Sequence, residues 1–309
     1  MSPDDATKVA VVVDGRQLTL SNLAKVLYPR AGFTKGQVLD YYTRIAPVLL
    51  PHLAGRPLTF KRYPNGVDGH FFFEKNAPSH RPDWVRTAVI ASPGSTKNRE
   101  TINYAIVDDL PTLVWVANLA SLELHVPMWR VGAGGDARDP DLLVFDLDPG
   151  PPATVVECCR VATRLCTALA ADGLAAVPKT SGSKGLQLYL SVSRSGNGRT
   201  SAYARSLAER LERSEPGLVV SRMTKELRGG KVLVDWSQNN PAKTTVAVYS
   251  LRARDFPTVS TPVSWAEVEA CAEGGDPHAL RFTSDDVLAR VAAEGDLFAP
   301  LLAEGAALA

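Results

Sequence analysis

Apolar residues recur at helical spacing in several stretches of the chain and run short and continuous in others. Thr34 is placed to cap a helix that extends to about His52, with Val38, Ile45 and Leu49 on one face. A second helix is predicted from about Ala153 to Ala171. Val155, Cys159, Ala162, Cys166 and Leu169 form its apolar stripe, and Asp172-Gly173 stops it. A third is predicted from about Ser201 to Arg213, capped by Thr200. Strands are predicted at Leu142–Asp146, Leu186–Val192, Lys231–Trp236 and Thr245–Leu251, and Glu123–Trp129 alternates as another. Asp148-Pro149-Gly150, Ser181-Gly182, Gly229-Gly230 and Asn240-Pro241 punctuate them. The alternation predicts a mixed α/β fold with no internal repeat. Residues 1–14 read as a flexible N-terminus. The glycine-rich stretch 132–139 reads as a seam between an N-terminal subdomain (15–135) and a catalytic one (136–300) of a single domain.

Composition changes this picture little. The chain has 309 residues, enough for a sizeable core, and a net charge of +1 that argues for no partner class. Local charge is more telling: Ser221 to Arg254 holds seven basic residues and two acidic ones, a stretch suited either to polyphosphate and nucleic acid or to a solvated face. No run approaches the ~20 apolar residues of a membrane helix. The polar start MSPDDATK is not a secretory signal, so the expected location is cytoplasmic. The four cysteines show no CxxC or CxxH spacing, which argues for buried thiols rather than structural zinc.

The strongest chemical signal is Leu142-Leu143-Val144-Phe145-Asp146-Leu147-Asp148-Pro149-Gly150. Alternation on a strand points Asp146 and Asp148 the same way, with Cα atoms roughly 7 Å apart. Two carboxylates on one face repel unless a cation lies between them, and Mg²⁺ or Mn²⁺ take such oxygen ligands. A third aspartate, Asp235, lies inside the strand Lys231–Trp236, where strand propensity disfavours it and a metal explains it. Three aspartates can hold two ions about 4 Å apart, as in polymerases and nucleases. Solvated acids at a strand end are the plain alternative.

Pro178-Lys-Thr-Ser-Gly-Ser-Lys-Gly185 precedes the strand beginning at Leu186. It is not a Walker A loop, because a strand follows instead of a helix. Its glycines, hydroxyls and Lys184 nevertheless suit phosphate oxygens, and Gln187, opposite in facing to Leu186 and Leu188, is placed toward a nucleotide bound there. Lys243 and Arg252 are placed to bracket a triphosphate. Lys25 and Lys35 stand near the mouth of the first helix, a plausible anion site. Of the consecutive Phe71, Phe72 and Phe73, not all can enter one core: either an aromatic face is left to stack on a base or the strand is buried on both faces.

Together these segments resemble the polymerase domain of bacterial DNA ligase D, a member of the archaeo-eukaryotic primase superfamily. The resemblance rests on LSNLAKVLYP, FTKGQVLDYY, KRYPNGVD with FFEK, ELHVPMWR, LVFDLDPG, TSGSKGL, KVLVDWSQN and KTTVAVYSLR, in order over roughly residues 15 to 300. It implies an archaeo-eukaryotic primase fold in which an RNA-recognition-motif-like catalytic sheet packs against an N-terminal, DNA-binding α/β subdomain. It implies catalytic metal binding by Asp146, Asp148 and Asp235, with Mn²⁺ or Mg²⁺ as the ion and NTPs or dNTPs as substrates. Nucleotide contacts fall on His125, Ser181, Lys184, Lys243 and Arg252. A pocket for a recessed DNA 5′-phosphate falls on Asn22, Lys25 and Lys35, and template packing on Phe72 and Phe73. The implied activity is primer extension and gap filling on double-stranded DNA, with ribonucleotides preferred, in end joining or excision repair. The implied partners are gapped or broken DNA carrying a 5′-phosphate, an end-binding protein and a separate ligase; the implied location is the nucleoid. The family's SGSKGLH has Gln187 in the histidine position, where that histidine resembles a triphosphate ligand. Glutamine donates a hydrogen bond without charge. The segment is thus expected to be a stand-alone paralogue or an excised domain. A DNA-end-binding module with weak catalysis is the alternative, and FDLDPG only superficially resembles the first motif of haloacid-dehalogenase-like phosphatases.

Overall fold

The computed structural model describes residues 8–92, 100–193 and 198–308. The chain opens with a hairpin, β1 (Lys8–Val13) and β2 (Arg16–Ser21). Asp14 and Gly15 both take positive φ, the backbone that suits a two-residue hairpin turn. Residues 8–13, expected to be flexible, are therefore a paired strand; residues 1–7 lie outside the described ones. After β3 (Val26–Tyr28) and β4 (Phe33–Thr34) comes α1 (Lys35–Leu53). Thr34 caps it reciprocally with Gln37, and Val38, Tyr42, Ile45 and Leu49 are buried along one face.

The first sheet has strand order β15-β9-β5-β8-β7. Its members are β5 (Pro57–Arg62), β7 (Thr87–Ala91), β8 (Thr101–Ile106), β9 (Ser121–Val126) and β15 (Thr245–Val246), and β6 (Phe72–Glu74) pairs with the far end of β5. The helix α2 (Leu110–Asn118), capped by Asp109, lies between β8 and β9. Pro127 closes β9 earlier than the expected Trp129.

The second sheet has order β11-β12-β10-β14-β13. It is built from β10 (Leu142–Pro149), β11 (Val177–Thr180), β12 (Leu186–Ser191), β13 (Val219–Val220) and β14 (Val232–Asp235). The helices α3 (Val155–Ala171) and α4 (Arg199–Ser214) join these strands and cover one face of the sheet. Alternation dictates that face: Leu143, Phe145, Leu147, Leu186, Leu188 and Leu190 pack under the helices, while Val144 and Tyr189 point the other way into the core of the first sheet. The two sheets thus face each other. Toward the C-terminus α5 (Trp265–Gly274) packs on α3, and α6 (Ser284–Glu294) reaches α1.

Three expectations are corrected by local geometry. The third helix starts after Gly198, whose φ of 103° turns the chain earlier, so Thr200 sits buried in the first turn and is not the cap. The strand expected over Thr245–Leu251 pairs with β9 only at Thr245 and Val246 and leaves Leu251 as an isolated bridge to Val259, because Tyr249 between them adopts a φ of 62°. Trp236 leaves β14 for a 3-10 turn, whose first amides Asp235 caps. The short β15 also returns the chain to the first sheet, so residues 136–300 contribute to both layers.

Tyrosines fasten the segment after β15 to the N-terminal part. Tyr28 Oη donates to the Arg252 carbonyl (3.1 Å) and Tyr41 Oη to the Tyr249 carbonyl (2.8 Å). Tyr42 Oη donates to the Leu122 carbonyl (2.7 Å) and accepts from Leu251 N–H (3.1 Å). Cys158, Cys159 and Cys271 are buried free thiols and Cys166 is half-buried. Among the described residues no helix is long and apolar enough to cross a membrane.

Candidate functional site

The central strand β10 carries the site. Asp146 and Asp148 share the face turned away from α3 and α4, and the antiparallel registers set Asp146 opposite Asp235 on β14 and opposite Gln187 on β12. Burial and the charge of Asp148 push the Asp146 carboxyl up to about 7. Asp235 adds to the shift, and the hydrogen bond from Gln187 Nε2 (3.0 Å) opposes it. Asp235 is differently held: its Oδ1 accepts from Ser237 N–H (2.9 Å) and Ser237 Oγ (2.6 Å), and its Oδ2 from Gln238 Nε2 (2.9 Å).

Crowded hard-oxygen donors fit Mg²⁺ or Mn²⁺ in chemistry. Asp146 and Asp148 line an open cleft of about 560 Å³, and Asp235 does not. Among the described residues no three His, Cys, Asp or Glu side chains already surround a common point. The pair on β10 therefore offers the entry for a cation, and Asp235 stands beside it tied to its own turn.

The cleft wall opposite the carboxylates is the β11–β12 hairpin. Ser181, Ser183 and Lys184 line it, together with His125 and Arg252. The hairpin is closed on itself: Ser181 Oγ accepts from Gly185 N–H (3.1 Å) and Ser183 N–H (3.3 Å). Those two amides are already bonded within the loop. Glycine is required at Gly182, where φ is 67° and a Cβ would lie 2.6 Å from the Val259 carbonyl carbon. Lys184 Nζ donates to the Pro149 carbonyl (3.1 Å), and Arg252 donates to the Ser181 carbonyl. Lys243 donates to Ser237 Oγ; it is exposed and stands outside the residues lining the cleft.

Two residues here escaped the sequence reading. Glu123, 2% exposed, lies two positions before His125 on the same face of β9. Its Oε2 meets His125 Nε2 at 3.0 Å and Arg252 Nε at 3.5 Å, and its Oε1 meets Lys61 Nζ at 3.5 Å. Burial by itself raises its carboxyl. The hydrogen bond with His125 and the charges of Arg252, His125 and Lys61 outweigh that and hold it well below the usual carboxylate range. Burial also lowers the His125 pKa. The period-2 pairing of Glu123 with His125 was the available signal. The other residue is Lys179, fully buried behind Gln187. Burial pushes its pKa far down, and Asp146 pulls it back.

Lys25 and Lys35 lie near each other outside the residues that line this cleft. Lys25 Nζ donates to Asn65 Oδ1 (3.0 Å), and Lys35 Nζ donates to the Ser21 carbonyl (2.6 Å) and meets Ser21 Oγ at 3.3 Å. Burial, then Lys25 and Arg62, lower Lys35 to about 8. Asn22 makes the turn before Lys25 with a φ of 55°. The amides at the start of α1 are already bonded: Thr34 to Gln37, Lys35 to Lys25, Gly36 to Leu23 and Gln37 to Thr34. An anion here would meet lysine charge, not a free helix terminus. Phe71, Phe72 and Phe73 are 44%, 37% and 52% exposed, because β6 pairs only with the end of β5. The Arg62 guanidinium lies 5.1 Å from the Phe72 ring centre, and Phe73 meets the His125 ring edge-on at 5.8 Å.

Residues 34–298 match the family model described as the primase-polymerase domain of LigD. The chain is 46% identical over 289 residues to the multifunctional non-homologous end joining protein LigD of Mycolicibacterium smegmatis, covering 93% of this chain and 36% of that protein. It is 29% identical over 281 residues to the bifunctional non-homologous end joining protein LigD of Bacillus subtilis, covering 90% and 43%. The chain thus spans well under half the length of these relatives. The solved polymerase domain of Mycobacterium tuberculosis ligase D in complex with DNA superposes with a TM-score of 0.85 at 44% identity, over 93% of this chain and 99% of that one.

Proposed function

Because the chain belongs to the family of LigD primase-polymerase domains, we propose that it is a DNA-directed nucleotidyl transferase that extends primers and fills short gaps during DNA repair, with ribonucleotides preferred. The observation that carries this reading is the pair Asp146 and Asp148 lining a cleft together with Lys184 and Arg252, with Asp235 set against Asp146 by the strand register. The primer 3′-oxygen attacks the α-phosphorus, the bond to the β-phosphate oxygen breaks, and pyrophosphate leaves.

Asp146 and Asp148 would hold divalent metal, joined by Asp235 as it gives up the bonds from Ser237 and Gln238. When bound, two such ions lower the pKa of the attacking hydroxyl and neutralise charge on the leaving oxygens. The chain's own groups do the rest. Lys184, Arg252 and Ser181 hold the triphosphate, and Lys243 approaches from the rim. Glu123 accepts the hydrogen bond from the Nε2–H of His125, which leaves Nδ1 as an acceptor for a sugar hydroxyl and supports a ribose preference. Asn22, Lys25 and Lys35 receive the 5′-phosphate across the gap, and Phe72 and Phe73 pack on the template. The M. tuberculosis domain was solved with DNA, and relatives named for non-homologous end joining support that pathway, alongside an end-binding protein and a ligase at the nucleoid.

Primer extension across a short gap tests the reading, with and without a 5′-phosphate, with NTPs or dNTPs and Mn²⁺ or Mg²⁺. Asp148→Ala is expected to abolish incorporation while gap binding persists. Incorporation at the wild-type rate by that variant overturns the assignment.

A further inference from the structure

Gln187 borders the cleft, yet it is 3% exposed and each of its two polar atoms already has a partner. Its Oε1 accepts from Lys179 Nζ, and its Nε2 donates to Asp146 Oδ1 at 3.0 Å. Lys179 is itself fixed from three directions. Besides Gln187, its Nζ donates to Ser260 Oγ (2.7 Å) and to the Val246 carbonyl (3.2 Å). Ser260 Oγ donates its own hydrogen bond to the Thr180 carbonyl (2.8 Å) and so can only accept from the lysine. Val246 stands opposite His125 in the first sheet.

These contacts leave the Gln187 amide one orientation. A lysine Nζ surrounded by acceptors must meet the amide oxygen, and a carboxylate must meet the amide nitrogen. Asp146 Oδ1 is therefore committed to Gln187, and Oδ2 is the oxygen left for the cleft.

The geometry points to a positioning relay, Lys179 to Gln187 to Asp146, that selects which carboxylate oxygen Asp146 presents to a divalent cation. Gln187 acts on the metal ligand and not on the triphosphate, unlike the role implied for the histidine at this position. The relay rests on the proposed reading of Asp146 as a metal ligand. Outer partners that orient a ligating carboxylate change metal affinity by about 10- to 100-fold.

The test measures binding, not turnover. Mn²⁺ affinity is read from the electron paramagnetic resonance of free Mn²⁺, and metal-free ATP affinity from calorimetry in EDTA. The variants are Gln187→Met, Lys179→Met, the double variant, and Asp148→Ala as a control. The relay expects each single variant to weaken Mn²⁺ binding by about tenfold or more, and the double to be no weaker than the worse single, because both act through one hydrogen bond. ATP affinity stays within twofold throughout. Weaker ATP binding in Gln187→Met with unchanged Mn²⁺ affinity overturns the proposal and restores a triphosphate role. If Lys179→Met does not fold, Gln187→Met alone decides on the same two affinities. Failure of the underlying reading looks different: Asp148→Ala then binds Mn²⁺ as the wild type does.

Discussion

Asp146 and Asp235 face each other across β10 and β14, but their carboxylates are held by different neighbours. Gln187 holds the first, and the Ser237–Gln238 turn holds the second. Asp146 is thus poised at the cleft while Asp235 is kept in reserve, and the electrostatic cost of crowding falls on Asp146.

That cost has a sign. Burial and Asp148 raise the Asp146 carboxyl to about 7, above the unfolded value of about 4. A group that holds its proton more tightly when folded contributes stability that is complete below about pH 4 and lost as pH rises through about 7. In EDTA, this group lowers the melting temperature at pH 8 relative to pH 5.5. Asp146→Asn should flatten that difference, and Mn²⁺ should raise the pH 8 melting temperature of the wild type more than that of the variant. Calorimetric scans at the two pH values decide; an identical pH dependence in Asp146→Asn would mean that the crowding is absent.

The lysine pair predicts a second pH effect. Lys35 loses its proton through about pH 8, with burial as the main cause and Lys25 second. The affinity advantage of a 5′-phosphorylated gap over a 5′-hydroxyl gap should therefore shrink from pH 7 to pH 9.5. Lys35→Arg, charged throughout, should keep a flat profile. Lys25→Ala should bind more weakly but hold its remaining advantage to higher pH, since its charge no longer depresses Lys35. Fluorescence anisotropy on the paired substrates measures this, and a flat wild-type profile would remove Lys35 from the 5′-phosphate contacts.

Glu123 joins Lys61, His125 and Arg252 in one buried cluster. Glu123→Gln leaves Lys61 and Arg252 without their shared anion and should cost about 3 kcal/mol of stability. At temperatures where the variant is still folded, its preference for NTPs over dNTPs should narrow, because the His125 tautomer is no longer fixed. Denaturant melts and competitive incorporation assays check the two effects separately.

Phe72 and Phe73 owe little of their surface to the core. Phe73→Ala should leave the melting temperature within a few degrees of wild type and weaken template binding by about 1–3 kcal/mol, the range for one base–aromatic stack. A large fall in melting temperature would instead make this aromatic edge structural.

Much of this was legible from local pattern. The capping boxes at Thr34 and Thr154 fix α1 and α3, and period-2 alternation puts Asp146 and Asp148 on one face of β10. What depends on pairing was not legible. That Asp235 falls opposite Asp146 is a matter of register between strands far apart in sequence, and Lys179 falls opposite Gln187 only through the register of the β11–β12 hairpin. The end of β15 is set by one left-handed residue, Tyr249, that carries no glycine-like signature. The inward turn of the Ser183 and Gly185 amides onto Ser181 Oγ is likewise a matter of loop geometry that serine and glycine content alone does not specify.

The hydroxyls of Tyr28 and Tyr41 bind the stretch bearing Arg252 to β3 and α1, the elements that frame Lys25 and Lys35. On the proposed reading, the anchor for the downstream DNA end and the anchor for the incoming triphosphate are therefore kept at a set spacing. On that reading the fold would act as a gauge, because only a gap that matches this spacing would bring both sides of a break to their anchors together.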